Sequence, residues 1–167
     1  GIGTTVDGGF AEYCAVPASQ VYKVADSLSF EQAAMTEPVS CCLHGIEFCN
    51  IKCGDTVMVI GCGMIGLIML QLARLSGAAN IIVIEPIKEK REQALKLGAD
   101  IALDPKADNI TEALKKQGLE QVDVVIECVG RPETIEQAIA LAGKYSTVMM
   151  FGLTKPDAEI SVKPFEI

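Results

Sequence analysis

The sequence contains no tryptophan, a single histidine and only 5% aromatic residues among its 167 positions. This scarcity argues against the aromatic stacking platforms that bind single-stranded nucleic acid and against an aromatic-rich protein interface. Basic residues are also few, since 14 Lys and Arg stand against 22 Asp and Glu, for a formal net charge of −8. A field of that sign repels phosphate backbones and anionic lipid surfaces, so we expect no nucleic-acid partner and no membrane association.

The seven cysteines lack the paired Cys-x-x-Cys spacing of zinc knuckles, and their odd number is typical of a reducing compartment. Cys41, Cys42, Cys49 and Cys53 lie near His44, but small buried thiols are more common than a metal site at this spacing. His44 lies in an apolar helical stretch, where a structural histidine is more common than a general base. We therefore expect a cytoplasmic protein and assign these five residues no chemical role.

Long uncharged runs are absent apart from residues 57–73, which contain three glycines near their start. A strand, a glycine turn and a helix explain this run better than a transmembrane span. The chain opens without a basic-then-apolar leader, and its first residue is Gly1 rather than Met. We therefore expect a segment of a longer protein.

From Asp55 onward, short β-branched runs alternate with helical patterns and glycines, which is typical of βαβ units. The apolar runs are mostly continuous, as in strands covered on both faces. The predicted strands are 57–60, 81–84, 101–103, 122–126 and 147–151. Four crossover helices between them predict an α/β fold with a doubly wound parallel sheet of the Rossmann type. Glycines that follow the helical patterns predict left-handed C-terminal caps at Gly77, Gly98, Gly118 and Gly143.

The first 54 residues follow a different pattern. Strand-like runs occupy 10–16 and 21–24, and Ser29 with Gln32 forms a capping box that opens a helix. A further helical stretch begins at Pro38.

A glycine-rich turn, Gly61-Cys-Gly63-Met-Ile-Gly66, directly follows a predicted strand and opens a predicted helix. Gly61 permits the tight turn, Gly63 lets the backbone approach a pyrophosphate, and Gly66 lets the helix pack against the strand. The amides around Met64 and Ile65 then face the anion at the positive end of the helix. In this context the motif predicts a dinucleotide site.

Glu85 ends the second predicted strand, 19 residues after Gly66. An acid there accepts hydrogen bonds from the adenosine ribose hydroxyls and repels a ribose 2′-phosphate, so NAD is favoured over NADP. Lys90 and Arg91 weaken this preference for NAD, because either cation could contact a 2′-phosphate. Each could equally be a surface charge or the partner of a neighbouring glutamate on the same helix. We include Lys90 among the cofactor-binding candidates.

Five stretches, spread over nearly the whole chain, match the sequence pattern of a known protein family. They are DGGFAEY at 7–13, EPVSCCLH at 37–44, GDTVMVIGCGMIG at 54–66, LGAD at 97–100 and DVVIECVG at 123–130. With them the chain resembles the zinc-dependent medium-chain alcohol dehydrogenases, in particular the sorbitol (L-iditol) and threonine dehydrogenase branch. The resemblance implies that residues 1–35 end a GroES-like catalytic domain and that residues 36–167 form an NAD-binding Rossmann domain without its last strand.

The same resemblance implies an enzyme that oxidises a secondary alcohol of a polyol or amino alcohol by hydride transfer to NAD, with a catalytic zinc and a homo-oligomeric assembly when intact. It places Val129 and Gly130 on the adenosine and ribose side and Ile65 behind the nicotinamide ring. The resemblance also implies that the nicotinamide is bordered by Phe151, Gly152 and Leu153.

Glu37 matches the position at which this branch places an acidic residue at the zinc. From the bare sequence, the other interpretation is an acid at a helix N-terminus before a first-turn proline. The family's remaining zinc ligands have no counterpart in this sequence. We therefore expect no catalytic residue in this chain and no dehydrogenase activity of the segment by itself.

Three alternatives stay open. A methyltransferase that uses S-adenosylmethionine also has a glycine turn and an acid after its second strand, but residues 127–130 precede a helix start where that class usually has a polar or aromatic motif. A nucleotide-sensing module does not suit the segment 10–37. A zinc-free quinone or enoyl reductase of the same superfamily is disfavoured by Glu37 and Pro38 only by analogy. The particular alcohol substrate is not indicated.

Overall fold

In the computed structural model, residues 2–119 and 121–166 are described. The chain divides into two compact units, Gly1–Thr36 and Glu37–Ile167. The assignment of the first unit to a larger catalytic domain stays a prediction.

Regular structure in the described part of the first unit consists of a 3-10 helix, Ala18–Gln20, and the helix α1, Phe30–Ala34. The predicted capping box is present. The Gln32 N–H donates to the Ser29 hydroxyl oxygen at 3.2 Å, and the Ser29 N–H donates to the Gln32 side chain at 3.0 Å. These two bonds satisfy backbone donors that the first turn of a helix leaves unpaired.

The strands predicted at 10–16 and 21–24 are wrong. The described residues of this unit form one isolated bridge, between Ile2 and Val6, and no strand. Phe10 and Tyr22 project into solvent. A strand needs a neighbouring strand to take up its backbone N–H and C=O groups, and the described residues of this unit offer none to these runs.

The second unit contains a five-stranded parallel sheet in the order β3-β2-β1-β4-β5. The strands are β1 Thr56–Ile60, β2 Asn80–Ile84, β3 Ile101–Leu103, β4 Val124–Glu127 and β5 Thr147–Met150. All five predicted strands are confirmed to within two residues. Every residue of β1 and β4 is buried, as their continuous apolar runs predict.

Helices cover both faces of this sheet. They are α2 Thr36–Cys49, α3 Met64–Leu75, α4 Lys88–Lys96, α5 Ile110–Lys116 and α6 Pro132–Leu141, and a 3-10 helix follows at Pro164–Glu166. Alternate residues of β1 enter two separate cores: Val57 and Val59 pack with α2 and α3, whereas Met58 and Ile60 pack with α5 and α6. The doubly wound Rossmann-type fold is thereby confirmed. None of the helices in the described ranges is long and apolar enough to cross a membrane.

Three of the four predicted glycine caps are confirmed, since Gly77, Gly98 and Gly118 have positive φ. The prediction at Gly143 is wrong because its backbone is not left-handed. A Cβ added there would lie 2.4 Å from Cγ of Gln121. The small size of Gly143 therefore serves packing rather than backbone conformation.

Candidate functional site

The candidate site lies where the chain order of the sheet reverses. From β1 the chain builds outward to β3 and then crosses back to β4, which pairs with the other side of β1. In open α/β sheets, ligands bind outside the carboxyl ends of the strands at such a reversal. The turn after β1 and the turn after β4 are in contact there, since a Cβ added at Gly61 would lie 2.7 Å from Cγ2 of Val129.

The glycine turn after β1 has the geometry that its sequence predicts. Gly61 has a φ of +93°, which L side chains rarely adopt. A Cβ at Gly66 would lie 1.8 Å from the Gly61 carbonyl oxygen, so α3 approaches the turn this closely only with glycine there. A Cβ at Gly63, in contrast, would meet nothing within 4 Å.

Gly63 therefore leaves open space at the start of α3. It is the N-cap of this helix, and no side chain caps the first turn. Met64 is largely exposed and Ile65 is half-buried. Uncapped amides at a helix N-terminus, together with the helix dipole, favour a bound anion. The structure thus leaves an open cradle for an anion next to β1.

Glu85 lies beside this turn and is only 5% exposed. Its Oε2 accepts the Cys62 N–H at 2.8 Å, and its Oε1 accepts the Ile87 N–H at 2.9 Å. Each carboxylate oxygen can accept a further hydrogen bond. Glu85 can therefore receive ribose hydroxyls while it holds the glycine turn.

The two cations near Glu85 differ in their partners. Arg91 donates to the Glu85 carbonyl oxygen at 2.6 Å and forms an ion pair with Asp104 at 3.2 Å, with only 17% of its side chain exposed. Its partner is thus an acid after β3 rather than a neighbouring glutamate of its own helix. Lys90 is exposed and lines a cavity next to Glu85.

A cavity of about 500 Å³ lies between the ends of β1 and β2 and the start of α6. Glu85, Lys90, Val129, Arg131 and Thr134 are among the residues that line it. This volume falls within the range of small-ligand and cofactor sites. Its mixed lining of apolar, acidic and basic groups suits a nucleoside.

The turns after β4 and β5 meet through two glycines. Gly130 has a φ of +75°, and a Cβ there would lie 2.4 Å from the Leu153 carbonyl oxygen. A Cβ at Gly152 would lie 2.1 Å from the Gly130 nitrogen. Phe151 packs against Gly45 of α2, while the Leu153 side chain is 94% exposed. The predicted residues 129–130 and 151–153 therefore lie together at one edge of the sheet.

Sequence reasoning assigned no role to Glu127, which ends β4 and is fully buried. Its carboxylate accepts hydrogen bonds from the Val129 and Gly130 amides. An ionisable residue at the end of an otherwise apolar strand is the sequence signal that points to it.

Glu37 is exposed on the first turn of α2, and its carboxylate accepts the Cys41 thiol at 3.2 Å. Zinc sites use three or four protein ligands. Within residues 2–119 and 121–166, no group of three or more His, Cys, Asp or Glu side chains is placed to hold a metal ion. The described part of this chain by itself therefore does not form a zinc centre.

The thiols of Cys49 and Cys62 are buried in the core. Burial raises the pKa of Cys49 to about 11, and burial together with the charge of Glu85 raises the pKa of Cys62 to about 12. Both thiols are thus protonated at neutral pH and are poor nucleophiles and poor metal ligands. His44 lies on the exposed side of α2, 3.8 Å from Glu47 and edge-on to Phe48.

Known proteins resemble this chain in sequence. The family model described as zinc-binding dehydrogenase matches residues 65–167. The chain is 33% identical to (R,R)-butanediol dehydrogenase of Bacillus subtilis over 153 residues, which are 92% of this chain and 44% of that protein. It is 34% identical to L-threonine 3-dehydrogenase of Caldanaerobacter subterraneus over 162 residues, which are 96% of this chain and 46% of that protein.

Solved structures resemble it as well. A putative zinc-binding dehydrogenase from Sinorhizobium meliloti, bound to NADP, superposes with a TM-score of 0.91 at 41% identity, over 99% of this chain and 49% of that one. An alcohol dehydrogenase from Escherichia coli CFT073, complexed with NADH, gives 0.86 at 28% identity, over 96% of this chain and 48% of that one. The chain spans about half the length of the relatives it matches. The family match over residues 65–167 confirms the resemblance seen in the sequence, and this chain belongs to the zinc-binding dehydrogenase family.

Proposed function

We propose that this chain is the nicotinamide-dinucleotide-binding part of a zinc-dependent dehydrogenase that oxidises a secondary alcohol of a polyol or amino alcohol. The observation that carries the proposal is the geometry around Gly63, where an uncapped helix start faces open space beside a turn held by Glu85. Such a cradle admits a pyrophosphate and leaves an acid for the adjoining ribose. Relatives named for butanediol, threonine and arabinitol support a small alcohol as the substrate class.

The residues divide between the parts of the cofactor. The amides around Met64 and Ile65 bind the pyrophosphate, and the cavity beside Lys90 and Val129 takes the adenosine. Gly130 lies with Val129 on the adenosine and ribose side, and the segment 151–153 borders the nicotinamide. When bound, the nicotinamide ring accepts a hydride from the alcohol, and the chain's own contribution is to bind and orient that ring.

We further propose that NAD is preferred over NADP. If the carboxylate of Glu85 accepts the ribose hydroxyls, its negative charge opposes a 2′-phosphate on the same ribose. Arg91 is engaged by Asp104, which leaves Lys90 and Arg131 as the cations that line the cavity. One similar structure holds NADP and another holds NADH, so the fold accommodates either cofactor and local charge decides between them.

For the intact enzyme, we propose Glu37 as one zinc ligand, a cytoplasmic location and a homo-oligomeric assembly. Glu37 is exposed and its carboxylate retains acceptor capacity beyond the Cys41 thiol. Because the described residues place no group of three or more possible ligands around it, we propose that the segment by itself has no dehydrogenase activity.

Calorimetric titration of the purified chain with NADH, NADPH and S-adenosylmethionine tests the cofactor. We expect saturable NADH binding, weaker NADPH binding and no S-adenosylmethionine binding. Glu85→Ala should weaken NADH binding, whereas Glu89→Ala, which removes an exposed acid from α4, should not. If the chain unfolds cooperatively on heating yet binds no NADH, the proposal is wrong, and binding of S-adenosylmethionine would instead indicate a methyltransferase.

A further inference from the structure

We propose that Glu127 is a positioning residue that holds the turns after β4 and β5 in the geometry that binds the dinucleotide, an inference that rests on the proposed function. Glu127 is 0% exposed, and the residues before it in β4 are apolar. A buried carboxylate is costly unless hydrogen bonds or a cation compensate it. The fold therefore has to supply hydrogen-bond donors to this side chain.

Hydrogen-bond donors surround its side chain. Oε1 accepts the Val129 N–H at 2.8 Å and the Gly130 N–H at 3.0 Å, and Oε2 lies 3.1 Å from the same Gly130 nitrogen. The Thr134 hydroxyl lies 2.8 Å from Oε1 and 2.9 Å from the Arg131 carbonyl oxygen, so its one proton serves one acceptor at a time. The described lysines and arginines form no ion pair with Glu127.

The main chain of the same residue holds the other turn. The Phe151 and Gly152 amides both donate to the Glu127 carbonyl oxygen at 2.9 Å. The side chain also fits closely here, since a Cβ added at Gly152 would lie 2.7 Å from Oε2. One residue at the end of β4 thus joins the turn that carries Val129 to the turn that follows β5.

These two turns border the space proposed for the cofactor. Val129 and Thr134 line the cavity next to Glu85, and both lie within one hydrogen bond of the Glu127 carboxylate. Glu127 itself is buried behind this lining and has no surface for the ligand. It therefore acts on the dinucleotide through the backbone of residues 129–130 and not by contact.

The carboxylate can be separated from the space it fills by Glu127→Gln, which keeps the size of the side chain. The glutamine oxygen can take the place of Oε1 and keep accepting the Val129 and Gly130 N–H groups, but its N–H₂ group then lies at the place of Oε2 and faces the Gly130 N–H. Because a neutral acceptor replaces a charged one and two donors meet at Gly130, NADH binding should weaken by about tenfold. Thr134→Val removes the shared hydroxyl, which also accepts the Arg131 N–H at 3.3 Å, and we expect a loss of about threefold. The matched control is Glu112→Gln, which removes an exposed acid from α5.

Two measurements on the 167-residue chain test the inference. Calorimetry well below the midpoint of thermal unfolding gives the NADH dissociation constant, and hydrogen exchange with mass spectrometry reports the amides of residues 128–131. We expect Glu127→Gln to weaken NADH binding and to accelerate exchange in 128–131 while exchange in β1 is unchanged. A merely structural role would lower the unfolding temperature without this local change.

Wild-type NADH affinity in folded Glu127→Gln would overturn the inference. If Glu127→Gln does not fold, Thr134→Val provides the test. An NADH dissociation constant in Thr134→Val equal to that of the wild type would then count against a role of the Glu127 hydrogen bonds in cofactor binding. If the folded wild-type chain binds no NADH, the proposed function fails first. In that case the exchange experiment still tests whether Glu127 orders 128–131, and unchanged exchange in the variant would refute that as well.

Discussion

The backbone N–H of Cys62 donates a 2.8 Å hydrogen bond to Oε2 of Glu85, across 23 positions of sequence. This bond ties the middle of the glycine turn after β1 to the residue that follows β2. The acid at the end of β2 is therefore a structural partner of the turn as well as a candidate ribose acceptor. Substitutions at Glu85 should affect folding and cofactor preference together.

Glu85→Gln is expected to lower the free energy of unfolding by about 1 to 3 kcal/mol, because a buried acceptor for the Cys62 and Ile87 amides is weakened. It should also raise the ratio of NADPH to NADH affinity, since the negative charge that opposes a 2′-phosphate is removed. Urea denaturation measures the first effect and calorimetry the second. An unchanged affinity ratio in the folded variant would show that Glu85 does not select the cofactor.

Substitution by alanine should affect folding at Gly66 and cofactor binding at Gly63. Gly66→Ala is expected to prevent folding, because its Cβ would lie 1.8 Å from the Gly61 carbonyl oxygen. Gly63→Ala should cost at most about 1 kcal/mol, since its Cβ enters open space at an N-cap with φ of −72°. The same methyl group would occupy the phosphate cradle and weaken NADH binding. Thermal unfolding measures the effect on stability, and NADH titration measures the effect on binding. Tight NADH binding by Gly63→Ala would argue against a phosphate site at Gly63.

Asp104→Asn is expected to increase NADPH affinity about threefold to tenfold, a gain in the range of a weak to moderate ion pair. The reason is that Arg91, released from its ion pair with Asp104, becomes available to a 2′-phosphate beside Glu85. The asparagine still offers the oxygen that accepts the Lys106 N–H. Calorimetry with NADPH measures the gain in affinity, and the double variant with Arg91→Ala should no longer show it. If the double variant still binds NADPH more tightly than the wild type, a cation other than Arg91 is responsible.

The buried thiols should make stability fall at alkaline pH. Burial raises the pKa of Cys49 to about 11, and burial with the charge of Glu85 raises that of Cys62 to about 12, above the ordinary value of 9.0. Well below pH 9.0 both the folded and the unfolded chain keep these protons, so this contribution to stability is complete there. As pH rises above 9.0, the unfolded chain loses protons that the folded chain retains, and the free energy of unfolding falls.

Urea denaturation between pH 7.5 and 10.5 measures this decline. For each thiol the slope approaches about 1.4 kcal/mol per pH unit once the unfolded thiol is ionised. Cys49→Ala should therefore show a shallower decline than the wild type. Equal slopes would mean that Cys49 does not retain its proton in the folded chain.

The isolated chain is expected to retain no stoichiometric zinc after incubation with zinc and desalting, because the described residues gather no three ligands around Glu37. Elemental analysis measures the metal content. The control is Glu47→Gln, which removes an exposed acid from the same helix. The expectation would be contradicted if the chain retained one equivalent of zinc and only Glu37→Gln lost it.

Local patterns predicted most of the second unit, whereas in the first unit they predicted the capping box of α1 correctly and the two strands wrongly. The continuous apolar runs of β1 and β4 predict strands because a parallel sheet buries both of their faces. The run at 10–16 has a strand-like composition, but a strand also requires a partner, and local composition carries no information about one. At Gly143 the glycine was predicted for a helix cap, whereas its close neighbour is Gln121, which precedes β4.

The sequence by itself determined the order of strands and helices, the glycine turn and the acid after β2, because each depends on residues close together in the chain. The tertiary structure alone decided which groups those residues meet. Arg91 pairs with Asp104 beyond β3, and Gly152 after β5 lies against the carboxylate of Glu127 at the end of β4. Such contacts join residues that are distant in sequence, and only the pairing and packing of the sheet bring them within hydrogen-bonding range.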